Sequence, residues 1–261
     1  MMKISIVQTD VVYKDKHQNL LQVAQLLSET QEVGDVILLP ELFSTGYIFD
    51  SPQDIHELCE EYQHSPTIET LQQLAATYQS VIVAGIAEHH EGCFYNSVAV
   101  IDSAGLQHRY RKISQTNIDK QYFSRGDSLL TFEYQGYVFG VAICFDLWFP
   151  EITREYAISN VDVLLHPANF GGEQSLLLSR TKAIENHCYV ATCNRVGTDK
   201  TQNIVGEYCG NSQVMSPSGE ILAQLKSVAA VETIELSKIE TKKVIGVDLI
   251  SEIGQIEKKL K

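Results

Sequence analysis

Residues 141–151 read VAICFDLWFPE, and the fold turns on how this stretch divides. Val141, Ala142 and Ile143 end the apolar run Tyr137–Ile143, whose shortness and β-branched content indicate a strand. Pro150 suits the first turn of a helix, so the spacing predicts a helix over Glu151–Ser159. Cys144 stands between the two. A strand that hands over to a helix in so few residues belongs to an α/β protein, in which ligands meet the carboxyl ends of the strands.

The same alternation extends in both directions. Lys3–Thr9 is a strand candidate, and His17–Thr30 places Leu20, Val23, Ala24 and Leu27 on one helical face. Asp35–Pro40 (DVILLP) is apolar without alternation, as in a strand buried on both sides. Ser65-Pro66 opens a helix whose inward stripe is Leu71, Leu74, Ala75 and Tyr78. Val81–Ala87, Tyr95–Ile101 and Gln107–Arg111 follow as antiparallel hairpins, with a turn at Asp102–Gly105. Beyond the thiol come a strand at Val161–His166, a helix at Gln174–Asn186 and a strand at Cys188–Asn194. His89-His90 reads as a turn. This is an α/β chain with a mixed sheet, or with two sheets covered by helices. Residues 1–235 are expected to form one domain, and Leu236–Lys261 a charged segment that is either a solvated helix or an arm on a partner subunit.

Composition narrows the function. The 261 residues are 44% hydrophobic, enough for a sizeable core, and carry a formal charge of -13, which repels a phosphate backbone. Nucleic acid is not an expected partner. No run of 18 apolar residues suggests a membrane span, and the polar turn after MMKISIV is too early for a secretory signal, so a cytoplasmic protein is expected. The six cysteines show no CxxC or finger spacing, so no metal site is expected.

Three side chains at strand ends could cooperate. Cys144, at the start of a helix, would feel a field that favours the thiolate. Glu41 follows DVILLP directly, where desolvation raises a carboxylate's pKa towards that of a proton shuttle. Lys112 closes the strand Gln107–Arg111. Sulfur attack on a carbonyl or nitrile carbon needs a base, a cation for the developing anion and an acid for the departing amine. Glu41, Lys112 and Cys144 comprise those parts.

LPELFSTGY, YRKIS and ICFDLWFPE, in this order, resemble the motif blocks of the nitrilase, or carbon-nitrogen hydrolase, superfamily. HPANF at 166–170, AIENHCY at 183–189 and NRVG at 194–197 resemble its later blocks. The resemblance covers residues 3–235 and implies a four-layer αββα sandwich with two mixed sheets and pseudo-twofold layout, assembled as a homodimer or higher homo-oligomer. It implies Glu41, Lys112 and Cys144 as catalytic triad, Phe145 as backbone oxyanion donor, no cofactor and no metal. Asp119, seven residues before Gly126, stands where the family carries a second glutamate. Trp148 stands where many amidase members carry arginine. Phe43, Tyr47, Trp148, Asn169 and Phe170 flank these motifs and are the expected substrate-binding residues. An aromatic lining without arginine favours a small neutral or apolar acyl group. An aliphatic amide is the expected substrate; a nitrile or an N-carbamoyl amine is the alternative. His166 is expected to be structural.

Overall fold

The structure, a computed structural model, describes residues 1–260. Its principal strands are β1 (Met2–Gln8), β2 (Val36–Leu38), β3 (Val81–His90), β4 (Cys93–Asp102), β5 (Gly105–Arg111), β6 (Thr131–Tyr134), β7 (Tyr137–Val141), β8 (Val163–Pro167), β9 (Tyr189–Cys193), β10 (Gln213–Met215), β11 (Ile221–Gln224) and β12 (Ala230–Leu236). They form two six-stranded sheets, ordered β12-β1-β2-β3-β4-β5 and β11-β10-β9-β8-β7-β6. Each sheet has three adjacent parallel strands, β1–β3 in one and β7–β9 in the other. On one side each trio is flanked by a single antiparallel strand, and on the other by an antiparallel pair. The two halves of the chain thus repeat one plan.

Period-two alternation decides which layer each residue enters. Val36 and Leu38 face the inner core, where they join Ile4, Ile6, Val83 and Val100 from the first sheet and Phe139, Val163 and Leu165 from the second. Ile37 and Leu39 point the other way, towards α1 (Lys16–Glu29) and α2 (Pro66–Tyr78), and meet Val23, Leu27, Leu71 and Ala75. Leu164 and Val190 of the second sheet meet Tyr156 of α3 (Pro150–Ile158) and Ala183 of α4 (Gln174–Asn186). The result is helix, sheet, sheet, helix. Each fully buried large aliphatic side chain contributes on the order of 2 kcal/mol, and a one-residue slip of a central strand would exchange its two faces. The helix starts are held locally: the Asp15 side chain accepts from Gln18 N–H, and Ser65 Oγ accepts from Ile68 N–H at 3.0 Å.

Several elements differ from the sequence expectation. The strands β6, β10, β11 and β12 lie outside the expected set; all are short or half-exposed, so their apolar alternation is weak. His89 and His90 end β3, paired with Phe94 and Cys93. The turn lies at Glu91-Gly92, both with positive φ (50° and 76°), as a tight hairpin requires. The terminal segment contains a helix, α5 (Leu249–Leu260). Among the described residues no helix is long and apolar enough to cross a membrane.

Candidate active site

Glu41, Lys112 and Cys144 each stand just past the carboxyl end of a strand, β2, β5 and β7. Glu41 reaches its place because Gly85 in β3 has no side chain: a Cβ there would lie 2.5 Å from Glu41 Cα and from the Pro40 carbonyl. Backbone bonds from Gly85 to Pro40 (3.2 Å) and from Phe43 to Gly85 (3.1 Å) close this approach. Lys112 is fixed by its N–H to the Asn96 carbonyl (2.9 Å), and its own carbonyl accepts from Gly126 N–H (2.8 Å). A Cβ on Gly126 would lie 2.1 Å from the Arg111 carbonyl, so only glycine lets the loop carrying Asp119 come this close.

The charged groups then meet out of water. Glu41 and Asp119 are 0% and 1% exposed and Lys112 is 2%. Lys112 Nζ donates to Glu41 Oε1 at 2.8 Å and to Asp119 Oδ2 at 3.0 Å. Asn96 Nδ2 donates to Glu41 Oε1 at 2.7 Å and reaches Asp119 Oδ1 at 3.3 Å. Asp119 also accepts from Thr116 N–H (2.9 Å) and from the Tyr47 hydroxyl (3.1 Å). Aspartate is therefore long enough to touch the lysine. Burial alone would lower the pKa of Lys112, but Glu41 and Asp119 outweigh it and hold the ammonium charged, well above its usual value. Burial alone would raise Asp119; Lys112 and the Thr116 donors overcome it and hold the carboxylate low. Burial, with the charge of Asp119 added, raises Glu41 against the opposing pull of Lys112 and Asn96. Two carboxylates share one cation, so Asp119 is the standing counter-ion and Glu41 the group that can carry a proton. Its Oε2 has no hydrogen-bond partner.

Cys144 occupies an elbow. Its φ of 44° is left-handed, a conformation costing a non-glycine residue on the order of 1–3 kcal/mol, and a single helical turn, Cys144–Trp148, starts on it. Asp146 secures that turn from within. Its carboxylate accepts from Ile143 N–H (2.9 Å), the Tyr110 hydroxyl (2.7 Å) and Ser114 N–H (2.7 Å), joining the thiol loop to the segment that bears Lys112. The thiol donates weakly to the Asn169 carbonyl at 3.7 Å. Burial, then the charge of Glu41, pushes its pKa well up, and Lys112 offsets only part of this. Desolvation thus outweighs the thiolate-favouring field of one short turn, and the sulfur needs a base, as the expected role of Glu41 requires.

His166 supports the elbow from β8. Its Nε2 lies 3.0 Å from the Cys144 carbonyl, which can only accept, so Nε2 carries the proton; Nδ1, 3.0 Å from Thr192 Oγ1, then accepts. Burial depresses its pKa to about 4. A histidine depressed in this way contributes stability that is full above its unfolded value, about 6.5, and lost as pH falls towards 4, by about 3 kcal/mol. Urea unfolding at pH 7 and pH 4.5 should therefore show a larger acid loss for the natural protein than for His166→Gln, which has no proton to gain. Equal acid losses would contradict the clamp.

The remaining expected residues divide. The Tyr47 hydroxyl touches Asp119 and Thr116, and Lys112 Nζ lies 5.5 Å from its ring centre. Asn169 is buried beside the thiol, and both polar atoms of its side chain lack partners. Phe170 is buried, its backbone held by the Asn194 side chain. Phe43 is fully buried in the packing between the first sheet and its helices, the core role open to any aromatic near a motif. Trp148 is 45% exposed and directs its indole N–H towards Ser175 Oγ at 3.4 Å. Sequence reasoning missed Asn96, whose only signal is a polar residue inside an apolar strand, and Thr116.

Comparison with known proteins follows this geometry. The carbon-nitrogen hydrolase family matches residues 3–243. A nitrilase from Pyrococcus abyssi is 30% identical over 249 residues, 94% of each chain. A 2-oxoglutaramate amidase from Bacillus subtilis is 31% identical over 230 residues, 85% of each chain. An amidase from Nesterenkonia sp. AN1, solved with acrylamide added to its active-site cysteine, superposes with a TM-score of 0.84 at 20% identity, covering all of both chains.

Proposed function

Because the chain belongs to the carbon-nitrogen hydrolase family, the nitrilase superfamily, we propose that it hydrolyses a small aliphatic amide to a carboxylic acid and ammonia through a thioester on Cys144. The observation that carries this reading is one buried cation between two carboxylates, beside a thiol held in a left-handed elbow. In the proposed sequence, the unpartnered Oε2 of Glu41 takes the thiol proton as sulfur attacks the amide carbon. Lys112 Nζ and the Phe145 N–H hold the oxyanion. Glu41 returns its proton to nitrogen, and ammonia leaves. Glu41 then takes a proton from water, which attacks the thioester; the acid departs and the thiol is restored. Asp119 keeps Lys112 charged throughout and lets Glu41 shed its proton without losing the cation's anchor.

Asn169 favours amide over nitrile. A carboxamide can accept from Nδ2 and donate to Oδ1, satisfying both unpartnered atoms, whereas a nitrile has no donor to offer. Unpaired buried polar groups make the analogue that lacks a partner a poor substrate. Ammonia release from matched amides, nitriles and N-carbamoyl amines tests this. The amide should exceed its nitrile in kcat/KM by at least about 100-fold; a faster nitrile would replace the amidase reading with the nitrilase reading that the Pyrococcus relative's name suggests.

A further inference from the structure

We propose that Asn96 is a positioning residue for the general base, holding one oxygen of Glu41 so that the other stays free to take the thiol proton; this rests on Glu41 acting as that base in the amidase reading above. Asn96 lies in β4, paired with Ala87 of β3, and is 1% exposed. Its main chain and side chain serve the same centre. The carbonyl accepts from Lys112 N–H at 2.9 Å, while Nδ2 donates to Glu41 Oε1 at 2.7 Å and, at 3.3 Å, to Asp119 Oδ1. Both side-chain partners are carboxylate oxygens, which only accept while ionised, so the amide nitrogen must face them.

The two oxygens of Glu41 are thereby given different tasks. Oε1 receives Lys112 Nζ at 2.8 Å as well as Asn96 Nδ2, whereas Oε2 has no partner among the described residues. The last torsion of a glutamate is soft, and with Lys112 alone the carboxylate could turn to set both oxygens against the ammonium. A second donor on Oε1, from the neighbouring strand, opposes that rotation. A buried amide kept for packing alone would be satisfied at both ends, yet Asn96 Oδ1 has no partner among the described residues; a bare acceptor retained beside two bound carboxylates marks a site residue. The titratable groups that act on Glu41 are Lys112 past β5, Asp119 on its loop, Tyr47 on the Glu41 loop itself and Cys144 past β7. Burial raises the Glu41 pKa, and the hydrogen bond from Asn96 works with Lys112 against it. Asn96 is uncharged, so replacing it changes the proton affinity of the base without changing the charge of the site.

The test is the pH profile of Asn96→Leu, of similar volume but with no donor. Two profiles are measured: kcat/KM for propanamide, and the rate at which iodoacetamide alkylates Cys144, followed on the Cys144 peptide, which needs no turnover. On the acid limb kcat/KM should fall about 10-fold more than on the alkaline plateau, the scale of a lost hydrogen bond to a charged group, and the acid limb of alkylation should move to higher pH with it. Asn96→Ser, whose hydroxyl is too short to bridge both carboxylates, should move both limbs the same way, and serves if the leucine variant does not fold. An alkylation profile that stays in place, or an activity loss of equal size at every pH, would overturn the proposal and leave Asn96 a packing residue. A natural protein that hydrolyses no amide would remove the amidase reading, and the alkylation profile would then decide the role of Asn96 by itself.

Discussion

Cys144→Ala should reduce ammonia release to less than about one ten-thousandth of the natural rate, the scale seen when a covalent nucleophile is removed. No other group on the elbow can take over. The neighbouring carboxylate Asp146 spends its oxygens on Ile143, Tyr110 and Ser114, and His166 faces the backbone carbonyl with its proton already committed. The fold should survive the change. Alanine keeps the Cβ and the left-handed backbone and gives up a weak thiol hydrogen bond to the Asn169 carbonyl, so unfolding free energy should shift by less than about 1 kcal/mol. An ammonia assay alongside urea denaturation reads both quantities. More than about 1% residual turnover by a fully folded variant would show that sulfur is not the attacking atom.

Lys112→Met should damage both activity and stability. Removing an oxyanion donor costs on the order of 10²-fold to 10³-fold in kcat, and Glu41 loses the partner that opposes its raised pKa. In the fold, two buried carboxylates are left without a cation, a loss on the order of 3–5 kcal/mol. The pH dependence identifies the cause. With the ammonium gone, the folded pKa of both carboxylates should lie above their unfolded values. Such groups cost nothing while protonated, and stability is lost as pH rises through the unfolded values towards the folded ones. The variant should therefore be weakened more at pH 8 than at pH 5. Adding Asp119→Asn removes one stranded charge, so the double variant should regain stability but not activity. A single variant equally stable at both pH values, or with near-natural turnover, would contradict the arrangement.

Much of this site was legible because its parts sit in short contiguous blocks. Glu41 after DVILLP, Lys112 after a strand and Cys144 before Pro150-Glu151 are all visible as chemistry placed at strand ends, where loops converge. Asp119 was visible only as an offset from Gly126; its reach to Lys112 depends on how closely the loop packs on residues 111–113. Asn96 and the clamp from His166 to the Cys144 carbonyl were not legible. Each links residues far apart in the chain, through atoms whose partners are set by sheet register.

Local pattern by itself determined the class of fold, the two-faced central strands, most of the helices and the chemical identity of the three distant side chains. These depend on periodicity and on residue type, which neighbours along the chain express. Only the tertiary structure decided the electrostatics of the site and the neighbourhood of the thiol: that Lys112 is shared by two carboxylates, that burial raises Glu41 while Lys112 and Thr116 hold Asp119 low, that burial raises the Cys144 thiol, and that Lys120 and Arg125 lie near its loop. The reason is physical. A pKa is set by burial and by charges a few ångströms away in space, and the packing of the two sheets and their loops fixes those distances independently of separation along the chain.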